Sequence, residues 1–572
     1  MATTTVISTL QTTILTNSDN ENDVLVALGG GIAVSTGFAV DFSSNESASI
    51  TVAGSIGSAK ESAIRISGAG NTGVGNVYLN IASTGVVTGT LETPDAAIEI
   101  RAVSSVVTNA GAIGGSMGFS FLAGTVSLHN TGTILTQGNA IGIEAASGTH
   151  TIFNSGTIAV SSGPSILGSD GGIDKVTNTG IVSGYISLRN GADILSNLGG
   201  TINGAIDFGS GDDTLSNSGT INGAVTLGIG LDTVINTGAI HGDVDLGSGF
   251  NTLSNSGLIV GTVGGSTTTD LFTNTGMIIG LIDLGNGQNT FLNTGTIVGD
   301  VGFGINNDTV TNTGSVSGTI YLGNGDDIFT GGVFDDTVVG GDGADTVRLR
   351  GGDDTFVAWT LDGRDVVNGG GGEDTYDAST VSSGMYIDLD DGVAKGAGTD
   401  RITGFEHAIG SDTGGDTILG SGVDNTLSGL DGSDVLRGFG GNDVLDGGAG
   451  TDILAGGLGK DVLTGGTEAD VFDFDSTAET GRTAATRDVI TDFDTGIDKI
   501  DLATIDARTN IAGNQKFTFL GTGAFTGVSG QLHYTVIGSG LLVEGDTNGD
   551  RKADFSIVLL DASSLVAGDF AL

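Results

Sequence analysis

Oxygen-bearing side chains recur along this chain at a fixed spacing. Over 416–470 an Asp or Asn stands at every ninth position: Asp416, Asn425, Asp434, Asp443, Asp452, Asp461 and Asp470. Each is followed two residues later by an apolar side chain: Ile418, Leu427, Leu436, Leu445, Leu454, Leu463 and Phe472. The same spacing runs earlier through Asp327, Asp336, Asp345 and Asp354, and the segment GGGGEDTY from Gly369 restores it at Asp374. Glycines precede the acids, as in GGAGTDILA from Gly447 and GGLGKDVLT from Gly456. The 572 residues include 67 acidic and 19 basic side chains, a formal charge of −48. Nucleic acid and anionic lipid are poor partners for such a chain. Acids gathered in runs would read as a solvated surface or tail. Acids set in a strict period point instead to bound cations.

A second array, Asp546, Asn548, Asp550 and Asp554, follows an Asp-x-Asn-x-Asp-x-x-x-Asp pattern. Alternate oxygens in a Gly-containing loop resemble the first part of an EF-hand-like calcium loop. The twelfth position, where such a loop carries Glu, is Ile557. Asp, Asn and Gly are also ordinary turn residues, so a polar β-turn is the competing reading.

Catalytic chemistry is sparse. The five histidines, 129, 150, 241, 407 and 533, form no His-Glu-x-x-His pair, which excludes a zinc protease of that type. A β-helical polysaccharide lyase or epimerase is the stronger enzymatic rival. It would need a placed base and acid, cations to neutralise uronates, and aromatic subsites. Residues 1–330 hold only Lys60, Arg65, Arg101, Lys175 and Arg189, with Tyr78, Tyr185 and Tyr321. Arg65 and Arg101 could share a face, with ordinary surface charge as the plainer reading. A protein that is not an enzyme is therefore expected. With no Cys, disulfides and thiolate metal sites are excluded.

The elements that position these residues come from internal repeats. Blocks opening with Asn-(Thr/Ser)-Gly lead from Asn178, Asn217, Asn236, Asn255, Asn274, Asn293 and Asn312, with a variant at Asn197. Apart from one step of 20 the period is 19 residues, and looser copies precede it at Asn109, Asn130 and Asn154. Apolar residues alternate within each block, as in IVSGYISL, which predicts strands with one face inward. The 105 glycines, against 2 prolines, supply corners between strands. Stacked coils ~4.8 Å apart put like residues into ladders, and the asparagines are expected to bond amide to amide along one. An outward Thr/Ser array (Thr275, Thr294, Thr313) that binds ice or glycan is the functional alternative.

Each 19-residue block also carries Gly-x-Gly-x-(Asp/Asn)-x-apolar, as in DFGSGDDTL. The column runs Asp193, Asp213, Asp232, Asn251, Asp270, Asn289, Asp308 and Asp327. Because only one edge of each coil carries it and two of these eight positions are Asn, these are read as turn residues rather than ligands. Past Asp327 the spacing falls to nine without a break in register, so a single solenoid is expected whose coil becomes two nearly equivalent halves.

The segments from Asp416 onward match the nonapeptide Gly-Gly-x-Gly-x-Asp-x-apolar-x and so resemble RTX (hemolysin-type) calcium-binding repeats. The resemblance implies that calcium ions are held by backbone carbonyls and Asp carboxylates from two turns on one edge, 18 residues apart. Asp434 and Asp452 then share one edge, and Asp443 and Asp461 the other. The glycines before them, Gly432, Gly441, Gly450 and Gly459, belong to the same turns. Departures are Asn425 for Asp, Leu430 and Phe439 for the second glycine, and Glu468 for the third. The stretch 375–415 is similar to hairpin-bearing inserts between RTX blocks. From Val471 the sequence VFDFDSTAETGRTAATRDVITDFDTGIDKIDLATID, ending in Asp569-Phe570-Ala571-Leu572, resembles the C-terminal domain of serralysin-type secreted proteins. That resemblance implies a β-rich cap and an uncleaved type I export signal.

The expected fold is all-β: a right-handed parallel β-solenoid continuing into an RTX parallel β-roll with a C-terminal β-rich cap. Its expected parts are a cap and first coils at 1–50, 19-residue coils over 51–326, the calcium-binding roll at 327–474, and the serralysin-like domain at 475–572. The beginning, MATTTVISTLQTTILTNSDN, lacks a basic and then an apolar region, so no cleavable signal is expected there. Val24–Val34 is interrupted by three glycines and is too short to span a bilayer. The expected function is a secreted calcium-binding structural or adhesive protein of surface, matrix or S-layer type. Its expected partners are the type I secretion apparatus and either further copies of itself or a cell-surface polysaccharide.

Overall fold

The computed structural model describes residues 4–572 except 8–9, 12–14, 18–22, 28–29, 36, 43–46, 68–73, 92–94, 360–362, 397 and 539. The described elements are β-strands, plus one turn of 3-10 helix at Ala567–Asp569. No described helix is long and apolar enough to cross a membrane, which says nothing of a strand-built barrel. The chain divides into two compact units, 1–302 and 303–572.

In the first unit the described strands pair in parallel, each with its counterpart one coil along. Thr214–Asn217 pairs with Thr233–Asn236, Thr220–Asn222 with Ala239–His241, and Val225–Thr226 with Val244–Asp245. A regular coil thus has three short strands joined by glycine corners. Alternation explains them: Leu215 and Asn217 face inward while Thr214 and Ser216 are half-buried. Ile202, Ile221, Ile240, Ile259, Ile278 and Ile297 stack as one buried file. Phe272 and Phe291 stack ring on ring at 5.0 Å in another. Earlier coils are wider, with 14-residue strands at Ala96–Asn109 and Met117–Asn130 whose pairing is irregular between Ile100 and Ser104.

The asparagine ladder is present. Each Nδ2 donates to the next Oδ1 from Asn109 through Asn130, Asn154, Asn178, Asn197, Asn217, Asn236, Asn255 and Asn274 to Asn293, at 2.7–2.8 Å throughout. All are buried, so the ladder satisfies amides that would otherwise cost stability. The hydroxyls beside it turn back on the solenoid: Thr179, Ser218, Thr237 and Thr275 each donate to the carbonyl of the asparagine in the preceding coil. The row itself stays on the surface, with Thr275, Thr294 and Thr313 exposed.

The second unit is a parallel solenoid with 18-residue coils of two similar halves. One face runs Thr319–Tyr321, Thr337–Val339, Thr355–Val357, Thr375–Asp377, His407–Ile409, Thr426–Ser428, Val444–Ala449, Val462–Thr467 and Val489–Ile490. On the other face, Thr346–Gly351 is followed by Val366–Gly371 and Thr399–Thr403. There the insert enters as antiparallel strands: Val393–Lys395 pairs with Thr399–Thr403 and with Tyr386–Asp388, which pairs in parallel with Thr417–Ser421. The parallel stack then resumes at Val435–Gly440 and Ile453–Leu458. Gln531–Ile537, Gly540–Asp546 and Phe555–Leu560 form an antiparallel meander whose last strand lies parallel to Val489–Ile490. Phe570–Ala571 adds as a parallel strand to Lys499–Asp501.

Candidate metal sites

Each Asp of the predicted column sits at the end of a turn, where the chain enters an inward-facing strand. All are buried, at 0–2% exposure for Asp327, Asp336, Asp345, Asp354, Asp374, Asp416, Asp434, Asp443, Asp452, Asp461 and Asp470. One oxygen of each is committed. The backbone N–H of Asp434 donates to Oδ1 of Asp452 at 2.8 Å, and Asp452 likewise to Asp470 at 2.9 Å. On the opposite edge Asn425 donates to Asp443, and Asp443 to Asp461, both at 2.8 Å. The earlier coils repeat this from Asp327 to Asp345 and from Asp336 to Asp354.

The other oxygen is a different matter. Oδ2 of Asp327, Asp336, Asp345, Asp354, Asp374, Asp434, Asp443, Asp452 and Asp461 is buried and has no hydrogen-bond partner. A buried carboxylate oxygen without a donor or counter-ion is costly. Burial accordingly pushes the Asp345 carboxyl up to about 8, those of Asp336, Asp434 and Asp461 to about 7, and those of Asp327, Asp374, Asp443 and Asp470 to about 6. Neighbouring carboxylates add to these rises. No three His, Cys, Asp or Glu side chains converge among the described residues, so a cation here must draw on backbone carbonyls.

The turns supply them. A Cβ on Gly450 would overlap the Gly432 carbonyl oxygen, and one on Gly459 the Gly441 carbonyl oxygen, so these carbonyls lie along the axis against the next coil. Gly441, Gly450 and Gly459 hold φ of 126°, 138° and 148°, which L-residues seldom adopt. The first glycine of the motif has its own reason: a Cβ on Gly447 would stand 2.5 Å from Asp452 Oδ2. Bare carboxylate oxygens beside axial carbonyls suit a hard divalent cation that takes six to eight oxygens, and calcium fits this donor set.

The departures from the motif keep the backbone and strain it. Leu430, Phe439 and Glu468 hold φ of 69°, 69° and 80°, the glycine conformation without glycine. Asn425 stays in its column, but its Nδ2 donates to the Glu406 carbonyl at 2.7 Å, so that turn lacks a free carboxylate.

Several column members escaped the nine-residue count. Asp365 accepts from Asp345, Asp400 from Asp365, Glu406 from Asp374, Asp488 from Asp461 and Asp498 from Asp470. Asp365, Asp400 and Asp498 carry Gly two residues before and an apolar residue two after, a signal that survives when inserts break the spacing. Glu406 also has Gly404 two residues before it and Ala408 two after, but with Glu in place of Asp, and Asp488 lacks the glycine, having Thr486 there. In the first unit the column begins with His150 in register with Asp174, its ring fully buried and its pKa lowered by that burial.

The Asp546 loop behaves differently. Asp546 accepts the N–H groups of Asn548, Gly549 and Arg551, and Asp554 accepts Thr547 N–H, Thr547 Oγ1 and Asn548 Nδ2. Asn548 and Asp550 accept from Asp550 and Lys552. The loop thus closes on itself through these bonds. Arg65 and Arg101 do share a face, with Glu99 in register with Arg65, but Asp41 binds Arg65 at 3.1 and 2.6 Å and Phe38 packs under its guanidinium.

A family model of the RTX calcium-binding nonapeptide repeat (4 copies) matches residues 320–356, 357–380, 411–445, 419–454 and 446–476. The second unit therefore carries RTX repeats, and calcium is the ion such repeats bind. No curated protein matches the chain. Among 38 solved chains that match are two solution structures from the Azotobacter vinelandii mannuronan C5-epimerase. Its AlgE6R2 subunit is 27% identical, with 26% of this chain and 88% of that one covered and a TM-score of 0.20. Its AlgE6R3 subunit is 25% identical, with 28% and 79% covered and a TM-score of 0.16.

Proposed function

We propose that this RTX-repeat chain is an extracellular structural or adhesive protein whose second unit closes into its solenoid as calcium enters the stacked turns. One observation carries the reading: the repeats bury carboxylate oxygens in columns with no donor to meet them. Asp434 with Asp452, and Asp443 with Asp461, together with carbonyls of Gly432, Gly441, Gly450 and Gly459, would hold the ions. Bound calcium would supply positive charge between coils that otherwise repel. Ions that bind the folded chain and not the unfolded one shift the equilibrium toward folding. Where free calcium is scarce the acidic chain stays loose, and where it is plentiful it folds. The fit with passage through an export channel supports a type I secreted protein, with its signal in the serralysin-like stretch near Asp569–Leu572. Self-association on a cell surface or binding of its polysaccharide is the corresponding proposal for partners.

Circular dichroism in chelator and then in millimolar calcium tests the folding claim. A gain of β signal and a rise in melting temperature are expected, and identical spectra and melts would sink it. Deleting the last ~50 residues tests export: the truncated chain should stay in the cell, and unchanged secretion would refute the signal.

A further inference from the structure

We propose that the first unit also binds divalent cations of the calcium kind, between the coils that carry Asp193, Asp213 and Asp232, well outside the matched repeats. These turns have the geometry of the roll. Gly209 and Gly211 hold φ of 91° and 135°, against 100° and 138° for Gly448 and Gly450. Backbone N–H of Asp174 donates to Oδ1 of Asp193, Asp193 to Asp213, and Asp213 to Asp232, each at 2.7 Å. The three carboxylates are at most 1% exposed, and Oδ2 of each is buried without a partner. The Arg189 and Gly209 carbonyls lie along the axis against the glycine of the next coil, since a Cβ on Gly209 or Gly228 would overlap them. Each accepts one N–H, from Ser210 and Ile229, and keeps a second lone pair.

The chain contains its own control. At two positions of the same column the residue is Asn. There Nδ2 of Asn251 donates to the Gly247 carbonyl at 3.3 Å, and Nδ2 of Asn289 donates to the Gly285 carbonyl at 3.2 Å. The amide puts a donor before the turn carbonyl where Asp213 and Asp232 leave a second acceptor. Once ionised, a carboxylate beside a carbonyl in a buried space calls for a cation between them. On this proposal the turns are built for ligation wherever the acid is kept.

Calcium counts on the full chain by native mass spectrometry, with calcium as the only added metal, test this. Asp213→Asn, which copies the Asn251 arrangement, should fold and bind about one or two fewer ions, and Asn251→Asp should bind about one more. Asp443→Asn, inside the repeats, serves as the reference loss. Wild-type counts in both first-unit variants with a reduced count in Asp443→Asn would overturn this inference and leave the repeat reading standing. A wild-type chain that binds no calcium would overturn both. If Asp213→Asn fails to fold, Asn251→Asp decides alone.

Discussion

Phe439 occupies the turn position that Gly448, Gly457 and Gly466 hold in the copies that follow, at φ 69° and with its ring about half exposed. An L-residue pays roughly 1–2 kcal/mol for that conformation, and glycine returns part of it as unfolded-chain entropy. Phe439→Gly should therefore stabilise the calcium-loaded protein by up to about 1 kcal/mol. Thermal melting in calcium checks this, and a lower midpoint would mean that ring packing outweighs the backbone strain. The residue scale is also where sequence reading went furthest. Gly-x-Asp-x-apolar names most of the column without a structure, because each position answers to one local demand. What it could not reveal is that in most of these Asp one oxygen ties to the preceding coil while the other is left bare. That division depends on a partner 18 to 20 residues away.

At the scale of elements, the period of alternation and the glycine corners made the coils legible, and the Asn-(Thr/Ser)-Gly blocks made the ladder legible. The insert was different. Nothing in its local pattern says that Val393–Lys395 runs antiparallel between two strands of an otherwise parallel face; only resemblance pointed to a hairpin. Inserts also hid Asp365, Asp400 and Asp498, since a count of nine fails across them. The ladder makes its own prediction. Asn236 accepts from Asn217 at 2.8 Å and donates to Asn255 at 2.7 Å, so Asn236→Ala leaves two buried amides short of a partner. The change should cost about 1–3 kcal/mol, seen as a lower melting midpoint than wild type at equal calcium. A shift within error would show that the amides re-pair or take up water.

For the whole molecule, a charge of −48 and many buried carboxyls make stability depend on protons and calcium in opposite senses. Burial raises Asp345 and Asp488 to about 8, and Asp193, Asp213, Asp336, Asp434 and Asp461 to about 7. A carboxyl raised above its unfolded value binds its proton more tightly in the fold. Its contribution is present in full below about pH 4 and is lost as pH climbs through 6 to 8. In chelator the melting temperature should fall from pH 5 to pH 8. In saturating calcium it should hold or rise, because protons no longer compete for the carboxylates. Calorimetry at both pH values decides this, and a chelated protein more stable at pH 8 would count against buried, cation-starved columns. Within each unit, finally, the strands of a coil bond to the coils before and after it. Pulled from its ends, such a stack should yield like a spool, letting go one loop at a time. A 19-residue loop pays out roughly 60–70 Å of thread. Ions seated between loops would then act as rivets, so that in calcium the spool would hold against loads that unwind it in chelator.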